Sequence, residues 1–261
     1  MKKIAACYKW VLSDADIRIN EKTRELDMEK CKPQINEYDR NGLECALQIK
    51  KATGRELAGI TCGPACGASS KDALSRGLDS VYFFENAALP QTGGKTATSK
   101  VLAGMVKKIG DVDVVVCSEG SSDDYSQQVG PRIAALLGWP MVSYVSKVTL
   151  DGDTFVLERK LEDCVECVRV AAPVVICVSP DVCEAPIPGV KDILNAKKKP
   201  ANALSIGDIG MSPEALASST ALISMLAPVS TRQKKCLNPE GVTIDQAAAA
   251  LVKELSAAGI L

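Results

Sequence analysis

The feature that most constrains this chain is a repeated change of hydrophobic period. Over the first two-thirds, short apolar runs alternate with longer stretches whose apolar residues recur roughly every three to four positions. Lys3 to Tyr8 reads as a buried strand. The next segment predicts a helix over 37–53, with Leu43, Ala46, Leu47 and Ile49 on one stripe and Gly54 as its stop. A strand follows at 56–61, a helix at 70–77, a strand at 80–84, a helix at 96–109 and a strand at 113–118. A helix over 127–137 then ends at Gly138-Trp139-Pro140. Strands that alternate with helices predict a parallel sheet covered on both faces. Ile17 to Asn20 and Glu25 to Met28 alternate in polarity and fit a small hairpin.

After Pro140 the pattern changes. Runs at 142–147, 154–160, 165–170 and 174–178 read as strands with little helix between them, the middle two pairing as a hairpin on the sheet edge. Beyond Pro180 the prolines at 186, 188 and 200 mark irregular chain, and 201–238 has weak periodicity and many small residues. That is too long for an ordinary loop. Leu222, Ile223, Met225 and Leu226 are costly to leave in water, so an arm on a partner subunit is expected, closed by a helix over 244–258. The expected fold is therefore a Rossmann-like α/β domain over 1–200 with an extended C-terminal arm over 201–261. Its sheet should be open and mainly parallel, with helices on both faces and an edge β-hairpin.

Charge and residue usage narrow the function classes. With 31 basic and 32 acidic side chains there is no basic excess to hold nucleic acid. No stretch reaches the about 18 apolar residues that a membrane span requires. Met1-Lys2-Lys3-Ile4 is charged without a long apolar run, so no signal peptide is expected and the chain is placed in the cytoplasm. Eleven cysteines, an odd number, point to free thiols in a reducing compartment. The chain has no histidine, which removes the commonest general base, the commonest zinc ligand and every Ser-His or Cys-His nucleophile. No catalytic side chain and no metal site are expected; chemistry falls to a cofactor.

One segment carries the binding signal. Val114-Val-Val-Cys-Ser118 runs into Glu119-Gly-Ser-Ser-Asp-Asp-Tyr-Ser-Gln-Gln-Val-Gly130 and then into a helix. Ligands of open parallel sheets bind beyond the carboxyl ends of strands, and a helix start offers unpaired N–H groups to a phosphate. Gly120 permits close backbone approach; Ser121, Ser122 and Ser126 add hydroxyl donors; Gln127 and Gln128 suit a ribose or base. Asp123 and Asp124 would repel a phosphate there, so at least one is expected to cap the helix or accept from a ribose hydroxyl. Gly93-Gly94-Lys95-Thr96 resembles the end of a phosphate loop but lacks its earlier glycine, Leu89 standing in that place.

From Asp113 through Gly130 to the Leu137-Gly-Trp-Pro140 turn, the chain resembles the beta subunits of electron transfer flavoproteins. Ile35-Asn-Glu-Tyr-Asp39 is similar to that family's Asn-Pro-aromatic turn, although Glu37 replaces the proline. Thr61-Cys-Gly-Pro64, Ala73 to Asp79, the pair Val156 to Arg159 and Cys164 to Val168, and Ile193-Leu-Asn-Ala-Lys-Lys-Lys-Pro200 match further segments in order. Within that resemblance the loop is more similar to the Fix-type branch than to the mitochondrial type. The resemblance implies a heterodimer with an alpha subunit that holds most of a redox-active FAD, this chain carrying AMP or a second FAD. It implies exchange with a flavin-dependent dehydrogenase or reductase, and with ferredoxin or flavodoxin. It places nucleotide contacts at Cys7, Asn36, Glu37, Tyr38, Asp39 and Cys62. In the loop and helix it places them at Gly120, Ser122, Asp123, Asp124, Tyr125, Ser126, Gln127, Gln128, Val129, Gly130, Ile133 and Ala134. Glu184 to Val190, where the family carries Pro-Arg for partner recognition, has no arginine. The alternative reading is a non-redox module that binds an adenine nucleotide.

Cys164-Val-Glu-Cys167 looks like a redox pair, but residues three apart on a strand point to opposite faces. Cys62 and Cys66, around Gly63-Pro64, read as small residues beside a nucleotide, and the other cysteines as core.

Overall fold

A computed structural model describes residues 1–261 except 87–88, 90–93, 218–221, 230–236 and 238–239. The strands are β1 (Lys3–Cys7), β2 (Trp10–Leu12), β3 (Arg18–Ile19), β4 (Leu26–Asp27), β5 (Pro33–Ile35), β6 (Glu56–Gly63) and β7 (Ser80–Glu85). They continue with β8 (Val112–Ser118), β9 (Met141–Asp151), β10 (Thr154–Lys160), β11 (Val165–Ala171), β12 (Val174–Val178) and β13 (Ala201–Ala203). The helices are α1 (Glu37–Thr53), α2 (Ser70–Ser75), α3 (Lys95–Ile109), α4 (Val129–Leu137), α5 (Val190–Ala196) and α6 (Ile244–Ala257). The chain forms two compact units, Met1–Met225 and Leu226–Leu261.

Nine strands of the first unit make one sheet, in the order β11-β10-β9-β12-β8-β1-β6-β7-β13. From β9 to β13 every neighbouring pair is parallel; β10 runs antiparallel to both β9 and β11. This is the expected α/β architecture with its edge hairpin. The chain leaves β1 in one direction, to β6 and β7, then crosses back to lay β8 on the other flank of β1. That reversal opens a crevice at the carboxyl ends of β1 and β8.

The strands alternate between two apolar layers because successive side chains point to opposite faces. Ile4, Ala6, Val114, Val116, Val174 and Ile176 pack with Leu43, Ala46 and Ile49 of α1 and with Ala73 and Leu74 of α2. Ala5, Cys7, Val115, Cys117, Val175 and Cys177 pack with Val101, Met105 and Val106 of α3 and Ile133 and Ala134 of α4. The helix stops lie where the glycines foretold them. Gly54 and Gly138 adopt left-handed φ of 70° and 69° as C-caps, and Trp139 N–H reaches back to Ala134 O at 3.0 Å.

Some short elements fall outside the sequence expectations. Trp10–Leu12 pairs with Pro33–Ile35, and Ala201–Ala203 adds β13 beside β7. Ile209 and Leu216 are buried in the layer containing α3. Helix α4 begins at Val129, two residues later than expected, after a turn in which Tyr125 N–H donates to Ser121 O. In the second unit, α6 carries a capping box, Thr243 Oγ1 accepting from Gln246 N–H and Gln246 Oε1 from Thr243 N–H. None of its residues is buried. Among the described residues no helix is long and apolar enough to cross a membrane.

Candidate functional site

The crevice at the sheet reversal deepens into a cleft of about 210 Å³. Its floor is small side chains at strand ends: Cys7 of β1, Cys62 and Gly63 of β6, Cys117 of β8 and Cys177 of β12. Cys7, Cys117 and Cys177 lie on three adjacent strands, and Cys117 is directly paired with Cys177. Cys177 beside it pulls the Cys117 thiol down, but contact with Cys7 and burial hold it well above the ordinary thiol range; contact with Cys117 and burial raise Cys177 likewise, so both stay protonated at neutral pH. Small neutral side chains leave room over the floor without placing charge there.

One wall is the loop 119–128. It is pinned from α1: Asn36, fully buried, donates to Gly120 O at 3.0 Å and accepts from Ser122 N–H at 3.1 Å. Asp39, at the start of the same helix, accepts from Lys9 N–H at 2.7 Å and from the Ser118 hydroxyl. Burial pushes its carboxyl up to about 6, against the opposing pull of those donors. Tyr125 donates its hydroxyl to Glu119 and packs its ring 5.6 Å from that of Tyr38. Tyr125 and Gln127 hold φ of 43° and 56°, a region that non-glycine residues rarely adopt. Tyr144 has φ 59° where the register of β9 shifts against β12, and it lines the cleft with Ser143. Shifts of this kind re-aim side chains beside sites.

The two aspartates of the loop each meet a lysine. The N-cap of α4 is Gln128, which makes no side-chain cap bond. Asp123 Oδ1 pairs with Lys9 Nζ at 2.7 Å and Asp124 Oδ1 with Lys95 Nζ at 3.3 Å. Two lysines from the ends of β1 and the start of α3 thus offset the charge that would have repelled an anion.

Of the residues singled out by sequence, Cys7, Asp39, Cys62, Gly120, Asp124, Ser126, Gln127, Gln128, Val129 and Gly130 line the cleft together. Asn36, Ser122, Asp123, Tyr38 and Tyr125 stand behind the lining and brace the loop, while Glu37 is exposed on the first turn of α1. Ile133 and Ala134 are buried in the core beneath α4. A Cβ on Gly120 would lie 2.7 Å from the Tyr125 ring, and one on Gly130 would lie 2.2 Å from Cys177 Sγ. Both glycines therefore serve close packing within the chain. Lys9, Thr98 and Tyr144 line the cleft without having been marked by sequence, and so does Lys95, which sequence had set aside as the end of an incomplete phosphate loop. Lys9 lies two residues beyond the expected Cys7 at the end of β1, which was the available clue.

The ten described cysteines are free thiols, with Cys164 and Cys167 exposed at the sheet edge; Cys236 and the Gly93 of the glycine-lysine segment lie outside the described residues. Among the described residues no group of three or more metal-ligating side chains is placed to hold an ion.

A family model described as an electron transfer flavoprotein domain matches residues 26–208. The chain belongs to that electron transfer flavoprotein domain family. The match takes in the loop 119–128, its Asn36 and Asp39 braces and Lys95, while Cys7 and Lys9 precede it. Membership is consistent with a part in electron transfer and with an alpha or a beta subunit of such a flavoprotein.

Proposed function

We propose that this chain is the nucleotide-binding, beta-type subunit of a heterodimeric electron transfer flavoprotein, its loop being of the Fix type. The observation that carries the reading is the cleft at the ends of β1 and β8, closed by the loop 119–128 and the starts of α3 and α4. The residues present fit an adenine nucleotide. A floor of Cys7, Cys62, Gly63 and Cys117 admits a flat ring, and Ser118, Ser121, Ser126, Gln127 and Gln128 supply hydroxyl and amide partners for a ribose. We take the ligand as AMP or the adenine end of a second FAD. A flavin, when bound, takes up and hands on electrons; the side chains here bind, orient and exclude water. With no histidine in the chain, no acid–base step is assigned to it.

Partner surfaces support the same reading. Ile187 just before α5, Val190 and Leu194 on α5, and Leu222 and Ile223 in the segment that follows β13 are exposed. Large apolar side chains grouped in this way mark contact surfaces. In this proposal the alpha subunit covers the exposed part of the segment 201–261, including Leu222 and Ile223, while β13, Ile209 and Leu216 of that segment pack on this chain's own sheet and core. A flavin dehydrogenase or reductase, with ferredoxin or flavodoxin as further carriers, meets the assembled cytoplasmic dimer.

Co-expression with an alpha subunit tests the proposal. The expected product is a yellow heterodimer that releases adenine nucleotide on denaturation. A colourless monomer that releases none, with the alpha chain present in the same cells, refutes it; a stable homodimer that binds nucleotide without flavin favours the non-redox module.

A further inference from the structure

We infer that Lys95 is the phosphate-binding cation of the cleft, an inference that rests on the nucleotide-site reading above. Lys95 is the first residue of α3, and it lines the cleft with Gly94 and Thr98 of the same turn. Opposite stand Gln128, Val129 and Gly130 at the start of α4. Arg132 ties the two helix starts together: its Nη1 donates to Thr96 Oγ1 at 2.9 Å, and its Nε and Nη2 donate to Gln128 Oε1 at 3.1 and 2.8 Å. An anion between them meets the leading N–H groups of two helices, the Thr98 hydroxyl and one ammonium.

The charges around the cleft single out this lysine. Lys9 already serves Asp123 at 2.7 Å and Ser121 at 3.4 Å. Lys95 meets Asp124 at 3.3 Å, a longer ion pair, and its side chain is 28 % exposed. An ammonium has three donors, so a phosphate oxygen can join the carboxylate without displacing it. The remaining carboxylates of the lining are engaged elsewhere: Asp39 accepts from Lys9 N–H and Ser118, and Glu119 accepts from Tyr125. The short glycine-lysine segment is no phosphate loop, since Leu89 stands where its first glycine belongs. Its lysine nonetheless reaches a phosphate position from the first turn of a helix.

The test compares AMP with adenosine on the nucleotide-stripped heterodimer by calorimetry, for the wild type, Lys95→Gln and Lys95→Arg. The expected result is a loss of about tenfold or more in AMP affinity for Lys95→Gln, the scale of one charge-assisted hydrogen bond. Adenosine binding should be unchanged, and Lys95→Arg should recover most of the AMP affinity. Equal losses for AMP and adenosine, or an unchanged AMP affinity, overturn the assignment while leaving the nucleotide site standing. A wild-type heterodimer that binds neither ligand refutes the site itself and the role of Lys95 with it.

Discussion

Replacing Asp39 by Asn should flatten a defined part of the pH dependence of stability. The carboxyl is 5 % exposed and is pushed from 3.8 to about 6 by burial, so between those values the folded state holds a proton that the unfolded state has released. For a raised carboxyl the sign is fixed. The contribution to stability is fully present below pH 3.8, falls as pH rises, and is lost above about 6. At about 1.36 kcal/mol per pH unit the loss amounts to roughly 3 kcal/mol. The asparagine can keep the local bonds. Its Oδ1 can accept from Lys9 N–H, and its amide can donate to Ser118 Oγ, whose own proton turns to Gly120 O at 3.1 Å. Urea unfolding of both proteins from about pH 4 to 7 isolates the effect, because every other carboxylate titrates alike in the two. The variant should gain on the wild type by roughly 3 kcal/mol across that range. A difference that stays constant with pH would refute a buried, proton-holding Asp39.

Other perturbations follow from the packing around the cleft. Gly130→Ala should destabilise by about 1–3 kcal/mol in urea, since its Cβ would lie 2.2 Å from Cys177 Sγ. Adding Cys177→Ala should recover most of that loss, and strictly additive effects would show that the contact is not the cause. Gly120→Leu, whose Cβ would lie 2.7 Å from the Tyr125 ring, should release the nucleotide of this chain while the alpha subunit keeps its FAD; parallel loss of both would assign the loop a purely structural part. Under native conditions Cys164 and Cys167 should react with a maleimide well before the buried thiols. The Cys164→Ser/Cys167→Ser variant should keep nucleotide and fold, and loss of either would restore a role to the pair.

The sheet was legible because its signal is local. Runs such as Val114 to Cys117 and the stripe Leu43, Ala46, Ile49 declare strand and helix by their period alone, and Gly54 and Gly138 mark the ends. Three-residue strands such as β2, β5 and β13 carry too few positions to show a period, so they emerged only from pairing. The site was half legible. A loop between a buried strand and a helix announces a binding position, but not which of its residues face inward. Asp123 looked repulsive because Lys9, 114 residues earlier in the chain, is not its neighbour in sequence. Gly120 and Gly130 line the cleft as expected of a binding loop, and they also make room for Tyr125 and Cys177, a packing role that sequence did not show. Long-range ion pairs and glycines that admit another part of the same chain leave no pattern in one sequence.

In the proposed heterodimer this chain holds its own adenine nucleotide beside the flavin of its partner. The most direct measurement is the ratio of adenine to flavin released by denaturing the purified heterodimer, separated chromatographically. Two adenine groups per heterodimer are expected, as one FAD with one AMP or as two FAD. A heterodimer that carries a single FAD and no second adenine nucleotide would contradict it.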